Sequence, residues 1–230
     1  MFVSVPFVVD LGLRGAARLV AGRDLRVELH GREHLPKHGP ALLACRHFHH
    51  FYDGVALIDA LPRLPRLFVA LDWIVDPFLR LAAEGFCGLV EWPATLRAEN
   101  LPPDRLKAFR PREVPRYVRR ALRSGARLLR RGEVVAAFPE GYPTIDPRYA
   151  RKPDGDGHLP FKAGLLTMAA LAQRDGDVRV PLIPTGLAYR RTLEGWDVTI
   201  RLGPALYLDA RTNRRLLLTA LATCVRELSV

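Results

Sequence analysis

Cysteine and lysine are both scarce in this sequence of 230 residues. The three cysteines, Cys45, Cys87 and Cys224, lie far apart and form no CxxC pair, which argues against a disulfide framework or a structural zinc site and suits a reducing compartment. Lysine supplies only four of the 35 basic residues, so arginine supplies the remaining 31. Because guanidinium groups pair well with phosphate oxygens, the net charge of +11 indicates nucleic acid, an anionic membrane surface or a phosphorylated substrate as partner, unless a genome-wide preference for arginine codons produces it.

Apolar runs long enough to cross a bilayer are also missing from the sequence. The apolar N-terminal stretch does not resemble a secretory signal, because charged residues interrupt or follow it instead of preceding it. On a helix, Phe7, Leu11, Ala17 and Val20 would share an apolar face, while Arg14, Arg18 and Arg23 would reach toward lipid phosphates. We therefore predict that residues 1–24 form an amphipathic segment that associates with a membrane surface; the alternative is an ordinary first helix packed on the core.

Strand and helix patterns alternate along the rest of the chain. The strand patterns cover residues 25–31, 41–47, 67–71, 88–92, 134–138, 178–189 and 196–203. The helix patterns cover residues 54–61, 76–86, 114–132, 162–173 and 210–228. Strands separated by helices of this length predict an α/β fold, with a single domain at 25–230 whose mainly parallel, mixed sheet is flanked by helices on both faces.

Two of the predicted strands end in residues that carry chemistry. The apolar stretch ALLAC is followed by RHFHHFYDG, which contains His47, His49, His50 and Asp53, and VVAAF is followed by PEG, which contains Glu140. In sheets of this class, ligands bind beyond the carboxyl ends of the strands. We therefore expect the histidine cluster and Glu140 to lie on one rim of the sheet.

The residues Phe138-Pro139-Glu140-Gly141 match the FPEG motif of the glycerolipid acyltransferases, typified by the bacterial 1-acylglycerol-3-phosphate acyltransferases. In that family the motif follows a histidine, four residues and an aspartate that close an earlier strand, and His47 and Asp53 have the matching position here. FKAG (161–164) and VPLIPTG (180–186) are similar to two later motifs of the family, and GLVEW (88–92) stands where the family has an apolar strand leading to an arginine. Four motifs in the right order over roughly residues 25 to 205 make the resemblance specific.

The sequence also departs from the family pattern. Five residues separate His47 from Asp53 instead of four, and His49 or His50 would meet Asp53 if the segment were helical, so all three histidines are candidates for the base. The arginines that grip the acceptor's phosphate in the family are replaced by Tyr142-Pro143-Thr144 and by Trp92-Pro93. The candidate substitutes for these arginines are Arg97, Arg148, Arg151 and Lys162.

The resemblance implies an enzyme that moves a fatty acyl chain from acyl-CoA or an acyl carrier protein thioester to the hydroxyl of a lysophospholipid, foremost 1-acylglycerol-3-phosphate, in phospholipid biosynthesis. Histidine suits removal of the hydroxyl proton at neutral pH, and Asp53 would hold its tautomer. Glu140 would bind the acceptor's glycerol or a basic residue of the site, or instead cap the next helix. The other substrate-binding residues that the resemblance implies are Phe138, Pro139, Gly141 and Lys162.

No serine or cysteine nucleophile is required for such a direct transfer: the sequence has no GxSxG elbow, and Cys45 lies inside an apolar strand. No metal or tightly bound cofactor is implied. The enzyme would lie on the cytoplasmic face of the cell membrane as a peripheral or monotopic protein, with an anionic membrane surface and no nucleic acid as partner.

Two other classes of function remain open from the residues alone. Three histidines and an aspartate supply enough ligands for the zinc of a hydrolase, although the adjacent His49 and His50 do not easily converge on one ion and the sequence has no HExxH. A non-enzymatic binder of anionic membrane or nucleic acid would use RRALRSGARLLRR (119–131), whose arginines are spaced three or four apart along one helical face.

Overall fold

The computed structural model describes residues 5–69, 78, 90–91, 114–141, 143–145 and 158–230. Its α-helices are α1 (Val5–Asp24), α2 (Tyr52–Ala60), α3 (Val114–Arg130), α4 (Gly164–Gln173) and α5 (Arg214–Leu228), with a 3₁₀ turn at Arg32–His34. Its strands are β1 (Leu25–His30), β2 (Ala41–Cys45), β3 (Pro65–Val69), β4 (Val90–Glu91), β5 (Val134–Ala137), β6 (Pro181–Arg191), β7 (Trp196–Leu202) and β8 (Leu206–Tyr207). Most of the predicted helix 76–86, apart from the helical Phe78, lies outside the described residues, as do 70–71, 88–89 and 92 of the predicted strands.

The strands form one mixed sheet in the order β1-β7-β6-β2-β5-β3-β4, with β8 paired to β6. Neighbours from β6 through β2, β5 and β3 to β4 are parallel, and β1 is parallel to β7. Only the pairs β6–β7 and β6–β8 are antiparallel among the described strands. The prediction of a mainly parallel, mixed sheet is confirmed.

The central strand β2 is apolar throughout because both of its faces are buried. All five of its residues are fully buried, because helices cover both faces of the sheet. Ala41, Leu43 and Cys45 pack into the layer that contains α1 and α2. Leu42 and Ala44 pack into the opposite layer, which contains α3, α4 and α5. The predicted helices on both faces of the sheet are therefore present.

Two helix ends are fixed by local features, and one of them lies where the sequence predicts it while the other does not. Gly132 adopts a left-handed φ of 80° just after α3, so it ends that helix as predicted. Helix α5 begins at Arg214 and not near residue 210, because the side chain of Asn213 accepts hydrogen bonds from the backbone of Arg215 and Leu216 and caps the helix there. The 3₁₀ turn and the two-residue β8 are too short to leave a periodic pattern in the sequence.

Helix α1 is docked on the domain through one of its faces. Ala17 and Ala21 are buried, and the Arg14 guanidinium donates to the backbone carbonyls of Ile58 (3.1 Å) and Leu61 (2.9 Å) at the end of α2. These carbonyls have no partner within the helix, and a cation near a helix C-terminus is favourable. The expectation that Arg14 extends toward lipid phosphates is therefore wrong.

The outward side of α1 carries isolated apolar residues. Leu11 is 62% exposed and Leu19 is 66% exposed, whereas Ala17 is buried, so the apolar face predicted from Phe7, Leu11, Ala17 and Val20 is not a single surface. Among the described residues, no helix combines the length and the apolarity needed to cross a membrane.

Candidate active site

The segments that follow β2 and β5 are joined to each other on one rim of the sheet. The Ile145 N–H donates to the Phe48 carbonyl at 2.6 Å, the His50 N–H donates to the Ile145 carbonyl at 3.0 Å, and the Thr144 N–H donates to the His47 carbonyl at 3.1 Å. His49 and Ile145 form a parallel bridge. The prediction that the histidine cluster and the FPEG loop lie on one rim is confirmed.

Asp53 accepts hydrogen bonds from four groups that surround it. Its Oδ2 atom accepts from the His47 Nδ1 atom (2.8 Å) and from the Phe48 N–H (2.8 Å). Its Oδ1 atom accepts from the His49 N–H (3.0 Å) and from the Tyr189 hydroxyl (2.7 Å). The side chain is 1% exposed and lies in the first turn of α2, where the helix dipole favours a negative charge. Asp53 is therefore a buried carboxylate with a fixed orientation.

His47 is the histidine whose side chain reaches Asp53. The Asp53 carboxylate can only accept a hydrogen bond, so the His47 Nδ1 atom is the donor. The proton of the neutral imidazole therefore lies on Nδ1, and the Nε2 atom is the basic nitrogen. The His47 ring stacks on the Phe138 ring with centroids 4.5 Å apart, and its side chain is 14% exposed. A base held in this way has one defined tautomer and one defined ring plane.

His49 and His50 have other contacts, because the residues before Tyr52 are not helical. The His49 Nδ1 atom accepts hydrogen bonds from the backbone of Phe51 (3.3 Å) and Tyr52 (3.2 Å) at the start of α2. The His50 ring stacks on the His49 ring with centroids 4.7 Å apart. The helical spacing that would bring His49 or His50 to Asp53 does not occur, and the extra residue between His47 and Asp53 is accommodated in the turn before α2.

Glu140 anchors the backbone around the histidine. Its Oε1 atom accepts from the His47 N–H and its Oε2 atom accepts from the Leu159 N–H, both at 3.0 Å. The residue is 1% exposed. The alternative in which Glu140 caps the next helix is wrong, because Ala163 occupies the cap position of α4 and no side chain caps that helix.

The remaining predicted residues meet in the FPEG loop. Gly141 has a left-handed φ of 71°, and a Cβ atom at this position would come within 2.9 Å of the Lys162 Nζ atom. The Lys162 N–H donates to the Pro139 carbonyl at 2.9 Å. Lys162 is exposed overall, yet partial loss of hydration beside the loop lowers the pKa of its ammonium group. The loop therefore places one positive charge beside the site. The other candidate phosphate ligands, Arg97, Arg148 and Arg151, lie outside the described residues.

Two residues of the site were missed in the sequence. Arg46 is 8% exposed, and its Nη1 atom donates to the Leu187 carbonyl (3.2 Å) and the Ser229 carbonyl (3.0 Å). Burial lowers the pKa of its guanidinium, and the carboxylates of Glu140 and Asp53 act in the opposite direction. The signal for Arg46 in the sequence is a charged residue at the end of an apolar strand. Tyr189 lies within a β-strand pattern, and nothing in the sequence distinguishes it from the other residues of that strand.

Cys45 lies next to these residues but does not supply a nucleophile. It is fully buried, and burial followed by the negative charge of Asp53 raises the pKa of its thiol. A thiol kept protonated in this way is inert, which agrees with its prediction as a strand residue. The described part of the chain holds no group of three or more histidine, cysteine, aspartate or glutamate side chains arranged for a metal ion.

A cavity of about 490 Å³ lies on the part of the sheet formed by β1, β6 and β7, and Tyr189 is among the residues that line it. Charged residues line it, and two of them, Arg190 and Asp197, form an ion pair with each other. Apolar residues also line the cavity, namely Val27, Ala188, Val198 and Val230. None of the residues predicted for the site lines the cavity.

Comparison with known proteins gives two findings. A family model described as Acyltransferase matches residues 26–188. The solved structures include one of similar fold, the 1-acyl-sn-glycerophosphate acyltransferase PlsC from Thermotoga maritima; its TM-score is 0.60 at 17% sequence identity, and the match covers 97% of this chain and 78% of that chain. No curated protein sequence shows significant similarity to the chain.

Proposed function

Since the chain belongs to the acyltransferase family, we propose that it transfers a fatty acyl chain from a thioester to the hydroxyl of a lysophospholipid, with His47 as the general base. The observation that carries this proposal is the 2.8 Å hydrogen bond between the His47 Nδ1 atom and the Asp53 carboxylate at the rim of the sheet. The similarity of fold to a 1-acyl-sn-glycerophosphate acyltransferase supports the choice of acceptor class.

In this reaction His47 first accepts a proton from the acceptor hydroxyl and then donates a proton to the leaving thiolate. As the acceptor oxygen bonds to the thioester carbonyl carbon, His47 Nε2 takes the hydroxyl proton and becomes an imidazolium. When the carbon–sulfur bond breaks, the imidazolium returns a proton to the departing thiolate. Asp53 stabilises the imidazolium in between through its bond at Nδ1. No covalent acyl-enzyme and no metal or cofactor is needed.

The buried charges around His47 suit this cycle. Asp53 and Glu140 are two buried carboxylates, and Arg46 is a buried guanidinium whose pKa responds to both of them. With a neutral imidazole these groups sum to one negative charge, and with an imidazolium they sum to zero. The three buried charges therefore favour the state in which His47 has taken the proton, and the exposed Lys162 ammonium group opposes it from beside the loop.

For the acceptor we propose a phosphate-bearing lysolipid, foremost 1-acylglycerol-3-phosphate. Lys162 supplies a positive charge beside the FPEG loop: a Cβ atom at position 141 would come within 2.9 Å of its ammonium nitrogen. Glu140 has both oxygens on backbone amides, so in this proposal it shapes the loop that the acceptor contacts. The donor would be acyl-CoA or an acyl carrier protein thioester.

We further propose that the protein works as a peripheral enzyme on an anionic membrane surface at the cytoplasmic face. The exposed Leu11 and Leu19 of α1 support this location, because such side chains gain free energy at the boundary between headgroups and acyl chains.

The test is acyl transfer with a panel of lysolipid acceptors that differ in headgroup, each incubated with labelled acyl-CoA or labelled acyl carrier protein thioester. The expected result is product with a phosphate-bearing acceptor, lost in His47→Gln at equal folded concentration. Absence of transfer from every donor to every acceptor would overturn the proposed function. Transfer that needs zinc and is abolished by a chelator would favour a metal-dependent reaction at the histidine cluster instead.

A further inference from the structure

Tyr189 makes a hydrogen bond to the pair of His47 and Asp53, here called the dyad, from the part of β6 that follows the VPLIPTG motif (180–186). Its hydroxyl donates to the Asp53 Oδ1 atom at 2.7 Å, whereas His47 contacts the Oδ2 atom of the same carboxylate. The residue lies near the end of β6, opposite Val198 of β7. The dyad is therefore joined to the antiparallel part of the sheet.

The ring of Tyr189 is held from two sides. The Phe48 ring stacks on it with centroids 4.5 Å apart and an interplanar angle of 14°. The Trp196 ring meets it edge-on at 5.8 Å. The Arg46 guanidinium lies over the Phe48 ring, 5.0 Å from its centroid. Aromatic rings packed in these geometries have little freedom, so the hydroxyl has a fixed position.

The hydroxyl of Tyr189 is a lasting donor to Asp53. Burial, followed by the charge of Asp53 and the hydrogen bond to it, raises the pKa of Tyr189 well above its ordinary value, so the phenol keeps its proton. Because the Tyr189 hydroxyl and the His49 N–H hold Oδ1, the carboxylate cannot rotate without losing bonds on both oxygens. Oδ2 thereby stays directed at His47.

We propose that Tyr189 is a positioning residue for the base: it fixes the plane of the Asp53 carboxylate and withdraws part of its charge, so that His47 keeps one tautomer and does not become protonated too readily. The inference rests on the proposed function, in which neutral His47 is the reactive form. Among the described residues, the ionisable groups near the pair of His47 and Asp53 include Arg46, Glu140, Cys45 and His49. Substitution of Tyr189 by Phe changes none of these side chains.

The test is Tyr189→Phe, which removes the hydroxyl and keeps the ring stack. The charge on Asp53 is then less dispersed and stabilises the imidazolium more strongly. We expect NMR of the ring to show that the His47 titration moves to higher pH in this variant than in the wild type, because a hydrogen bond to the charged carboxylate is lost. The acidic limb of the rate profile should move in the same direction, with kcat lower by roughly tenfold and KM little changed.

The matched control is Tyr52→Phe. Tyr52 also donates a hydrogen bond to an aspartate, Asp24 at 3.0 Å, but this bond joins α2 to α1 and does not involve the dyad. We expect this variant to lose stability without moving the His47 titration. A shift of the same size in both variants would overturn the inference, because the effect would then be a general loss of stability.

A second measurement keeps the Tyr189 hydroxyl and changes only its strength as a donor. Replacing the six tyrosines by 3-fluorotyrosine makes each hydroxyl a stronger donor, so His47 should titrate at a lower pH than in the unlabelled protein. An unchanged titration in both Tyr189→Phe and the fluorinated protein would overturn the role of Tyr189. The NMR titration reads the dyad directly, whereas the absence of acyl transfer in the wild type would count against the proposed function alone.

Discussion

Glu140 holds His47 by its backbone: the Oε1 atom of the carboxylate accepts the His47 N–H at 3.0 Å. The other carboxylate oxygen accepts the Leu159 N–H across the loop. One buried side chain thereby sets the distance between the segment that carries the base and the segment that leads to α4. The FPEG motif contributes to the site through this geometry, in addition to any contact with substrate.

Replacing Glu140 by glutamine tests that role. An amide group supplies only one acceptor oxygen, so one of the two backbone donors faces an NH₂ group. A buried donor left without a partner costs about 1–3 kcal/mol. We expect Glu140→Gln to lower the free energy of unfolding by this amount in a denaturant titration, together with a fall in kcat.

A suitable control is Glu133→Gln at the other end of β5. Glu133 lies 3.5 Å from Arg66 and is 35% exposed, so its loss should cost less than about 1 kcal/mol and leave the rate unchanged. If Glu140→Gln is as stable as the wild type and only KM rises, Glu140 binds the acceptor and is not an anchor.

The three histidines should differ sharply in their effect on the rate. We expect His47→Ala to lower kcat by at least ~10²-fold, because it removes the general base. His49→Ala removes the acceptor at the start of α2 and should cost about 1 kcal/mol of stability with a much smaller effect on the rate. Acyl transfer by His47→Ala, His49→Ala and His50→Ala, measured with and without a chelator, decides the assignment; near wild-type rates in all three would contradict the general-base mechanism.

Asp53→Asn should be nearly as damaging as loss of the base. Each oxygen of the Asp53 carboxylate accepts two hydrogen bonds, so the NH₂ group of an asparagine would face two of the four donors. The His47 ring would also lose the acceptor that keeps its proton on Nδ1. We expect a fall in kcat close to that of His47→Ala and a lower melting temperature; full activity at neutral pH would show that the tautomer of His47 is controlled by another group.

Membrane association should depend on the exposed leucines of α1. Deleting the helix is a poor test, because Arg14 and the buried Ala17 tie it to the domain. We expect the double variant Leu11→Gln, Leu19→Gln to keep its melting temperature and to sediment less with vesicles that contain anionic lipid.

Leu193→Gln is the control for this membrane experiment. Leu193 lies fully exposed in the turn between β6 and β7, so the substitution removes a surface leucine elsewhere. Equal vesicle binding by the wild type and the double variant would contradict a membrane role for α1.

The fold and half of the site were predictable because their signals are local. The apolar run of β2 predicts a strand covered on both faces, and the polar residues just after β2 and β5 predict a shared rim. The pairing of His47 with Asp53 was left open, because it depends on whether α2 begins before or after His49. The start at Tyr52 is set by backbone bonds to the His49 side chain.

Contacts between distant segments were not predictable from the sequence. Tyr189 reaches Asp53 across 136 positions, and only the register between β6 and β7 brings its hydroxyl to the carboxylate. The sequence pattern directs Arg14 toward lipid phosphates, but its partner is the end of α2, whose free carbonyls are not visible in a periodic pattern. For both Tyr189 and Arg14, the sequence gives the type of side chain but not the group with which it forms a hydrogen bond.

The alternation of side chains along β2 separates two surfaces, the outer side of α1 and the arginine-rich side of α3. Helix α1 lies in the layer below one face of the sheet, and α3 lies in the layer above the other face. The exposed arginines of α3 are Arg116, Arg119, Arg120, Arg123, Arg127 and Arg130. Two helices and a sheet, at about 10 Å a layer, keep these charges roughly 30 Å from the outer side of α1. Since the Debye length is about 8 Å at physiological ionic strength, a bilayer in contact with α1 would barely sense them, and their field would act on anionic molecules that arrive from the aqueous side.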